Sequence, residues 1–132
     1  GPGRGRKYSR TYKASNGAIM NEFVSEEAGK LVVRLEGEVD LDRSPAVRKL
    51  LFDCVTRQMD VVVDLSEVQY IDSSGIASLV EGLQAANGNG TKFSLVAVSG
   101  QVRRVMELAR LDKVFKIFDD VDAALAPMAP VV

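Results

Sequence analysis

The sequence predicts a single α/β domain, a mixed β-sheet of about five strands covered by about four helices, on three observations. Its 132 residues fall within the roughly 100–200 of one domain. A content of 46% hydrophobic and 27% charged residues is that of a globular chain with enough apolar mass for one core. Short β-branched runs alternate with stretches of helical apolar spacing between residues 19 and 126, as expected when parallel strands are joined by helical crossovers.

Ile19 to Val24 and Leu31 to Val39 are two β-branched runs separated by a polar Ser25 to Lys30 turn containing Gly29, a hairpin pattern that supplies the antiparallel edge. In the second run Val33, Leu35, Gly37 and Val39 alternate with Arg34, Glu36, Glu38 and Asp40, which places one face in the core and the other in water. Ser44 then serves as N-cap before Pro45, and Val47, Leu50, Leu51, Cys54 and Val55 form the apolar stripe of a helix running to about Gln58. Val61 to Leu65 is a nearly continuous apolar strand, covered on both faces. Asp72-Ser73-Ser74-Gly75 opens a second helix, faced by Ile76, Leu79, Val80 and Leu83 and stopped by Asn87-Gly88-Asn89-Gly90. Phe93 to Val98 is a strand, Ser99-Gly100 caps a third helix with Val102, Val105, Met106 and Ala109 inward, and Val114 to Phe118 is the last strand. A helix begun near Asp119 or Asp120 closes before Pro127, and residues 127–132 fray.

Residues 1–18 form a separate segment, expected to be a flexible basic arm. Arg4, Arg6, Lys7, Arg10 and Lys13 precede any acid, whereas residues 22–132 hold 12 basic and 18 acidic side chains. The arm lacks an apolar period, which favours a disordered tail over a nucleic-acid contact, and Gly1-Pro2-Gly3 has the look of an expression-tag remnant. No apolar run approaches the roughly 18 residues of a membrane span and no secretory signal is visible. With one cysteine and no histidine, an internal disulfide, Cys/His zinc sites and His-dependent triads are excluded. The lone Cys54 lies on the apolar stripe and belongs to the core, and the chain is placed in the cytoplasm.

Chemistry in an α/β sheet sits at the carboxyl ends of strands, where this sequence carries Asp40 and Asp42, Asp72-Ser73-Ser74, and Ser99. Asp72-Ser73-Ser74-Gly75 has two readings. One is capping, since Asp and Ser satisfy free N–H groups at a helix start. The other is a phosphate-bearing hydroxyl at the positive end of a helix dipole, where modification would change the local charge sharply. Magnesium held by Asp40, Asp64 and Asp72 is disfavoured because the two adjacent acids of phosphoacceptor receiver domains are missing, leaving solvated strand ends. Arg103-Arg104 marks a wet helix face.

The runs Val62-Val63-Asp64-Leu65-Ser66 and Tyr70-Ile71-Asp72-Ser73-Ser74-Gly75-Ile76 resemble the signature of STAS domains, specifically bacterial anti-sigma factor antagonists. Gly37-Glu38-Val39-Asp40 ahead of Pro45, and Val98-Ser99 through Val102-Arg103-Arg104-Val105 to Leu111, are similar to two further family segments, so the resemblance spans about residues 19–126. It implies a STAS domain whose unphosphorylated form binds an anti-sigma factor, itself a serine kinase of the histidine-kinase-like ATPase fold, and so releases a sigma factor. It further implies that the kinase switches binding off by phosphorylating the first hydroxyl after Asp, here Ser73, and that a metal-dependent serine phosphatase reverses this. Asp40 matches an acidic position near the site, which Asp72, Ser74 and Gly75 would shape. ATP and metal would belong to the partners, leaving this chain without catalytic residues or cofactor. Arg43 departs from the small residue usual before Pro45, and Arg110 from the glycine usual before Leu111. The competing reading is a STAS scaffold subunit of a transport or lipid-trafficking complex, which needs no phosphorylated serine.

Overall fold

In a computed structural model, residues 10–13 and 19–127 are described, with side chains from Phe23 onward. The elements run β1 (Arg10–Lys13), β2 (Ile19–Glu27), β3 (Lys30–Val39), α1 (Ser44–Val55), β4 (Val61–Ile71), α2 (Ser73–Asn89), β5 (Phe93–Val96), α3 (Gly100–Leu108), β6 (Lys116–Phe118) and α4 (Val121–Leu125). They form one sheet with its strands in chain order, antiparallel from β1 to β3 and parallel from β3 to β6. The five expected strands and four helices are all present. A sixth strand, β1, extends the antiparallel edge from within the segment assigned to the arm; the rest of that arm and residues 128–132 lie outside the described residues.

Because the parallel strands follow one another in order, crossovers of one hand carry α1, α2 and α3 to the same side of the sheet. Their apolar stripes meet Leu31, Val33, Leu35, Val63 and Leu65 in the main core. The opposite side has a smaller cluster, in which Val121 and Ala124 of α4 cover Val32, Val62 and Val96. Lys30 Nζ donates to the Ala124 carbonyl at 3.0 Å and ties α4 to the start of β3. Strands β3 and β4 are therefore covered on both faces over their first halves, which is why Leu31-Val32-Val33 and Val61-Val62-Val63 are continuous apolar runs.

Several boundaries differ from the sequence reading: α1 ends at Val55 and not near Gln58, β5 closes at Val96 and not Val98, β6 opens at Lys116 and not Val114, and Ala109, expected on the inner face of the third helix, is exposed just past its end. The β2–β3 turn shrinks to Ala28 and Gly29, at φ +52° and +76°, the left-handed pair of a two-residue hairpin that matches strand twist. Helix α1 starts at Ser44, so the N-cap position falls on Arg43 and not on Ser44, and no side chain caps the helix there. Here the Asp40 carbonyl accepts from the Arg43 and Ser44 amides at 3.1 and 2.8 Å, and Asp40 Oδ1 from the Arg43 amide at 3.2 Å. Strand β4 continues to Ile71, six residues past Leu65. Its partner β5 stops at Val96, opposite Asp64, so Ser66, Glu67, Gln69 and Tyr70 face solvent while Val68 and Ile71 stay buried. The polar letters that suggested a loop are the wet positions of a strand paired on one side only.

Candidate functional site

The extension of β4 carries Asp72 to the carboxyl end of the sheet, beside the end of β3, where the Asp72 amide donates to the Val39 carbonyl at 3.3 Å. Asp72 keeps extended backbone angles and caps α2. Its Oδ1 accepts from the Ser74 and Gly75 amides at 2.9 and 3.1 Å and also from the Ser74 hydroxyl, while its carbonyl accepts from the Ile76 amide at 3.0 Å. The Ser74 hydroxyl bond is the main influence holding the Asp72 carboxyl below its usual 3.8; partial burial opposes it, and the Gly75, Ser74 and Leu41 main-chain N–H groups assist. Asp72 therefore stays ionised and occupied as a cap.

The two serines consequently differ. Ser74 is half-buried, with its hydroxyl committed to Asp72. Ser73, the first residue of α2, is exposed, and its hydroxyl makes no hydrogen bond among the described residues. Gly75 is required by close approach: a Cβ there would stand 2.5 Å from the Val39 carbonyl oxygen and 2.5 Å from Ile71 Cγ1. Its absence lets the first turn of α2 lie directly on the ends of β3 and β4.

The β3–α1 loop is drawn to the same place. Leu41 presents its N–H to Asp72 and its side chain, 71% exposed, to solvent, and Tyr70 is 43% exposed. Asp40 thus lies in the loop against the α2 start, although its carboxylate serves its own turn by accepting from the Arg43 amide. Buried Ser78, one turn after Ser74, donates to the Ser44 carbonyl at 3.0 Å and the Ser74 carbonyl at 3.2 Å, pinning the start of α1 to α2. Arg43 acts within the fold: its Nη1 donates to the Glu36 and Glu38 carbonyls across the irregular pairing at Gly37. Gln101 of α3 approaches from the other side, accepting from the Ile71 amide at 3.3 Å and donating to the Ile71 carbonyl at 3.4 Å.

Asp40, Asp72, Ser73, Ser74 and Gly75 are therefore brought to one end of the molecule. Asp64 is not. It is 3% exposed, within β4 and not at a solvated strand end, about 25 Å along the chain from Asp72 at strand rise, and its Oδ1 accepts from the Ser66 amide at 2.9 Å. Among the described residues no helix is long and apolar enough to cross a membrane. Sequence reasoning missed Ser78, Gln101 and Leu41. A serine on an otherwise apolar helix face was the only local signal for Ser78, and Gln101 had none.

The fold and this strand-to-helix junction define a class. The STAS domain model matches residues 23–124, and the chain belongs to the STAS-domain family. It is 30% identical over 102 residues to an anti-sigma F factor antagonist of Paenibacillus polymyxa, covering 76% of this chain and 87% of that protein. It is 31% identical over 103 residues to the anti-sigma-F factor antagonist RsfB of Mycobacterium tuberculosis, covering 77% and 84%. The crystal structure of an anti-sigma factor antagonist from Mycobacterium paratuberculosis superposes with a TM-score of 0.73 at 29% identity, over 86% of this chain and 96% of that one.

Proposed function

We propose that this chain is an anti-sigma factor antagonist controlled by phosphorylation of Ser73. The observation that carries the reading is the division of labour at the α2 start. Asp72 and Ser74 complete the cap between themselves, leaving the Ser73 hydroxyl exposed and uncommitted. The relatives' description as anti-sigma factor antagonists supports the partner class. Unmodified, the surface around Ser73 presents Leu41 and Tyr70 as exposed apolar groups for an anti-sigma factor to cover. Phosphate adds about −1.5 to −2 charges beside an Asp72 carboxylate that already holds the Ser74 and Gly75 amides. The new charge therefore finds those two donors taken and must be desolvated by any partner, so binding suffers more than folding. The kinase is the anti-sigma factor itself, of the histidine-kinase-like ATPase class, and a metal-dependent serine phosphatase restores the binding form.

The test pairs titration with mass spectrometry, using the anti-sigma kinase captured on the wild-type chain. Ser73→Ala is expected to bind it and resist inactivation by ATP. Ser73→Asp is expected to fold normally and bind at least about tenfold more weakly, equivalent to about 1.4 kcal/mol. Phosphate on Ser74 would move the site. Equal affinity for modified and unmodified protein would remove the switch and leave a scaffold role.

A further inference from the structure

Strand β4 is 11 residues long and β5 only four, pairing with β4 over Val61–Asp64. Among the described residues, β4 beyond Asp64 has β3 on one side and no strand on the other. An open strand edge exposes N–H and C=O groups in alternation, and at Ile71 both groups point away from β3. They do not go to water: the Gln101 side-chain amide accepts from the Ile71 N–H and donates to the Ile71 C=O. A primary amide can imitate a neighbouring strand in this way because it carries an acceptor and a donor on adjacent atoms. One residue later the Asp72 N–H turns the opposite way, to the Val39 carbonyl. The main chain just before Ser73 is thus held from both sides, by a strand and by a side chain 30 positions away.

We infer that Gln101 is a positioning residue for the Ser73 hydroxyl: it acts as a one-residue strand that fixes the Ile71–Asp72 backbone and so sets where α2 begins. The inference rests on reading Ser73 as the phosphate acceptor. Gln101 lies on the exposed side of α3, whose buried residues are Val102 and Met106, so its role lies in these two bonds and not in core packing. Phosphoryl transfer depends on holding the attacking oxygen in line. A looser Ile71–Asp72 segment therefore lowers turnover at Ser73 more than it weakens encounter with the kinase.

The experiment compares the full chain carrying Gln101→Met, which keeps the side-chain length and removes both bonds, with Gln101→Glu, whose carboxylate keeps the acceptor for the Ile71 N–H but loses the donor. Amide hydrogen exchange read residue by residue is expected to accelerate at Ile71 by about tenfold in the Met variant, with the remaining β4 amides unchanged, and to return toward wild type in the Glu variant. With the kinase captured on the wild-type chain and ATP, kcat for Ser73 phosphorylation is expected to fall by about threefold or more in the Met variant while KM stays nearly constant. Unchanged exchange at Ile71 would overturn the clamp, as would a uniform acceleration across β4, and faster exchange with unaltered kcat would overturn the positioning role. If wild-type Ser73 takes up no phosphate, it is the acceptor reading that fails, and the positioning role falls with it.

Discussion

Asp72 does three jobs through one side chain and its flanking backbone. It ends β4 on the Val39 carbonyl, caps α2 through the Ser74 and Gly75 amides, and engages the Ser74 hydroxyl. Asp72→Ala removes the acceptor and is expected to cost about 0.5–2 kcal/mol, read from urea denaturation at neutral pH. The sign of the pH dependence follows from a carboxyl held below its usual 3.8: the contribution is complete above that value and is lost as pH falls through the lower folded value. The gap between wild type and Asp72→Ala should therefore shrink on acidification below about pH 4, and a pH-independent gap would show that ionisation is irrelevant to the cap. Gly75 fails for a different reason. In Gly75→Ala the new methyl meets backbone oxygen at 2.5 Å, and overpacking of this kind costs about 1–3 kcal/mol. An unchanged urea midpoint would mean that α2 can lift from the sheet without penalty.

At the level of elements, the helix ends show which parts of the pattern are under strain. Helix α2 ends with Thr91 N–H on the Ala86 carbonyl and Gly90 N–H on the Asn87 carbonyl, a paired C-terminal motif that needs a left-handed residue, supplied by Gly90 at φ +75°. Helix α3 ends in the same way, with Leu111 N–H on Met106 and Arg110 N–H on Glu107, but here the left-handed position is Arg110 at φ +60°. A side chain in that conformation costs roughly 1–2 kcal/mol, offset in part by the lower entropy of a non-glycine residue when unfolded. Arg110 is exposed and none of its side-chain atoms enters a hydrogen bond or ion pair among the described residues. Arg110→Gly is thus expected to stabilise by about 0.5–1 kcal/mol, visible as a higher thermal midpoint; an unchanged or lower midpoint would show that the strain is relieved elsewhere. The departure at Arg110 thus carries an energetic cost that nothing in the structure explains, whereas the one at Arg43 is accounted for by its bonds to the Glu36 and Glu38 carbonyls.

Across the whole molecule, one side of the sheet is deep and the other thin, so stability is unevenly spread. Cys54 belongs to the deep side, 4% exposed in the main core, and burial pushes its thiol up to about 11. Since the thiolate is the reactive form, the native protein at pH 8 is expected to leave Cys54 unlabelled by a thiol reagent over a period in which the urea-unfolded chain is fully labelled. Rapid native labelling would mean that α1 opens readily from the sheet. The end that carries Asp72 and Ser73 is assembled from β3, β4, α1, α2 and α3 together, so loss of that core would remove this junction as well as the fold.

The sequence by itself determined the alternation of strands and helices, the apolar stripes of α1, α2 and α3, and Asp72 as a cap beside two hydroxyls, because periodicity and capping are local. Asp72 speaks to Ser74 and Gly75 within three residues, and Ser99 to the Val102 amide within the same span. What the tertiary structure decided depends on groups far apart in the chain. The family resemblance singled out Ser73, and the fold gives the two serines different surroundings: the Ser74 hydroxyl is taken locally by the Asp72 carboxylate, to which the Leu41 N–H also comes from the β3–α1 loop, 31 positions earlier. The length of β4 was hidden because, among the described residues, its second half has one strand neighbour and shows no regular alternation. Asp64 looked like a strand end until pairing with both β3 and β5 placed it inside the sheet. Strand β1 gave no signal in a basic, polar segment, since an edge strand can be held by backbone hydrogen bonds to β2, which carry no side-chain code. Ser78 and Gln101 find main-chain groups 34 and 30 residues away. A polar side chain's long-range partner is set by where the packed elements bring the backbone, and one sequence read along its length does not contain that distance.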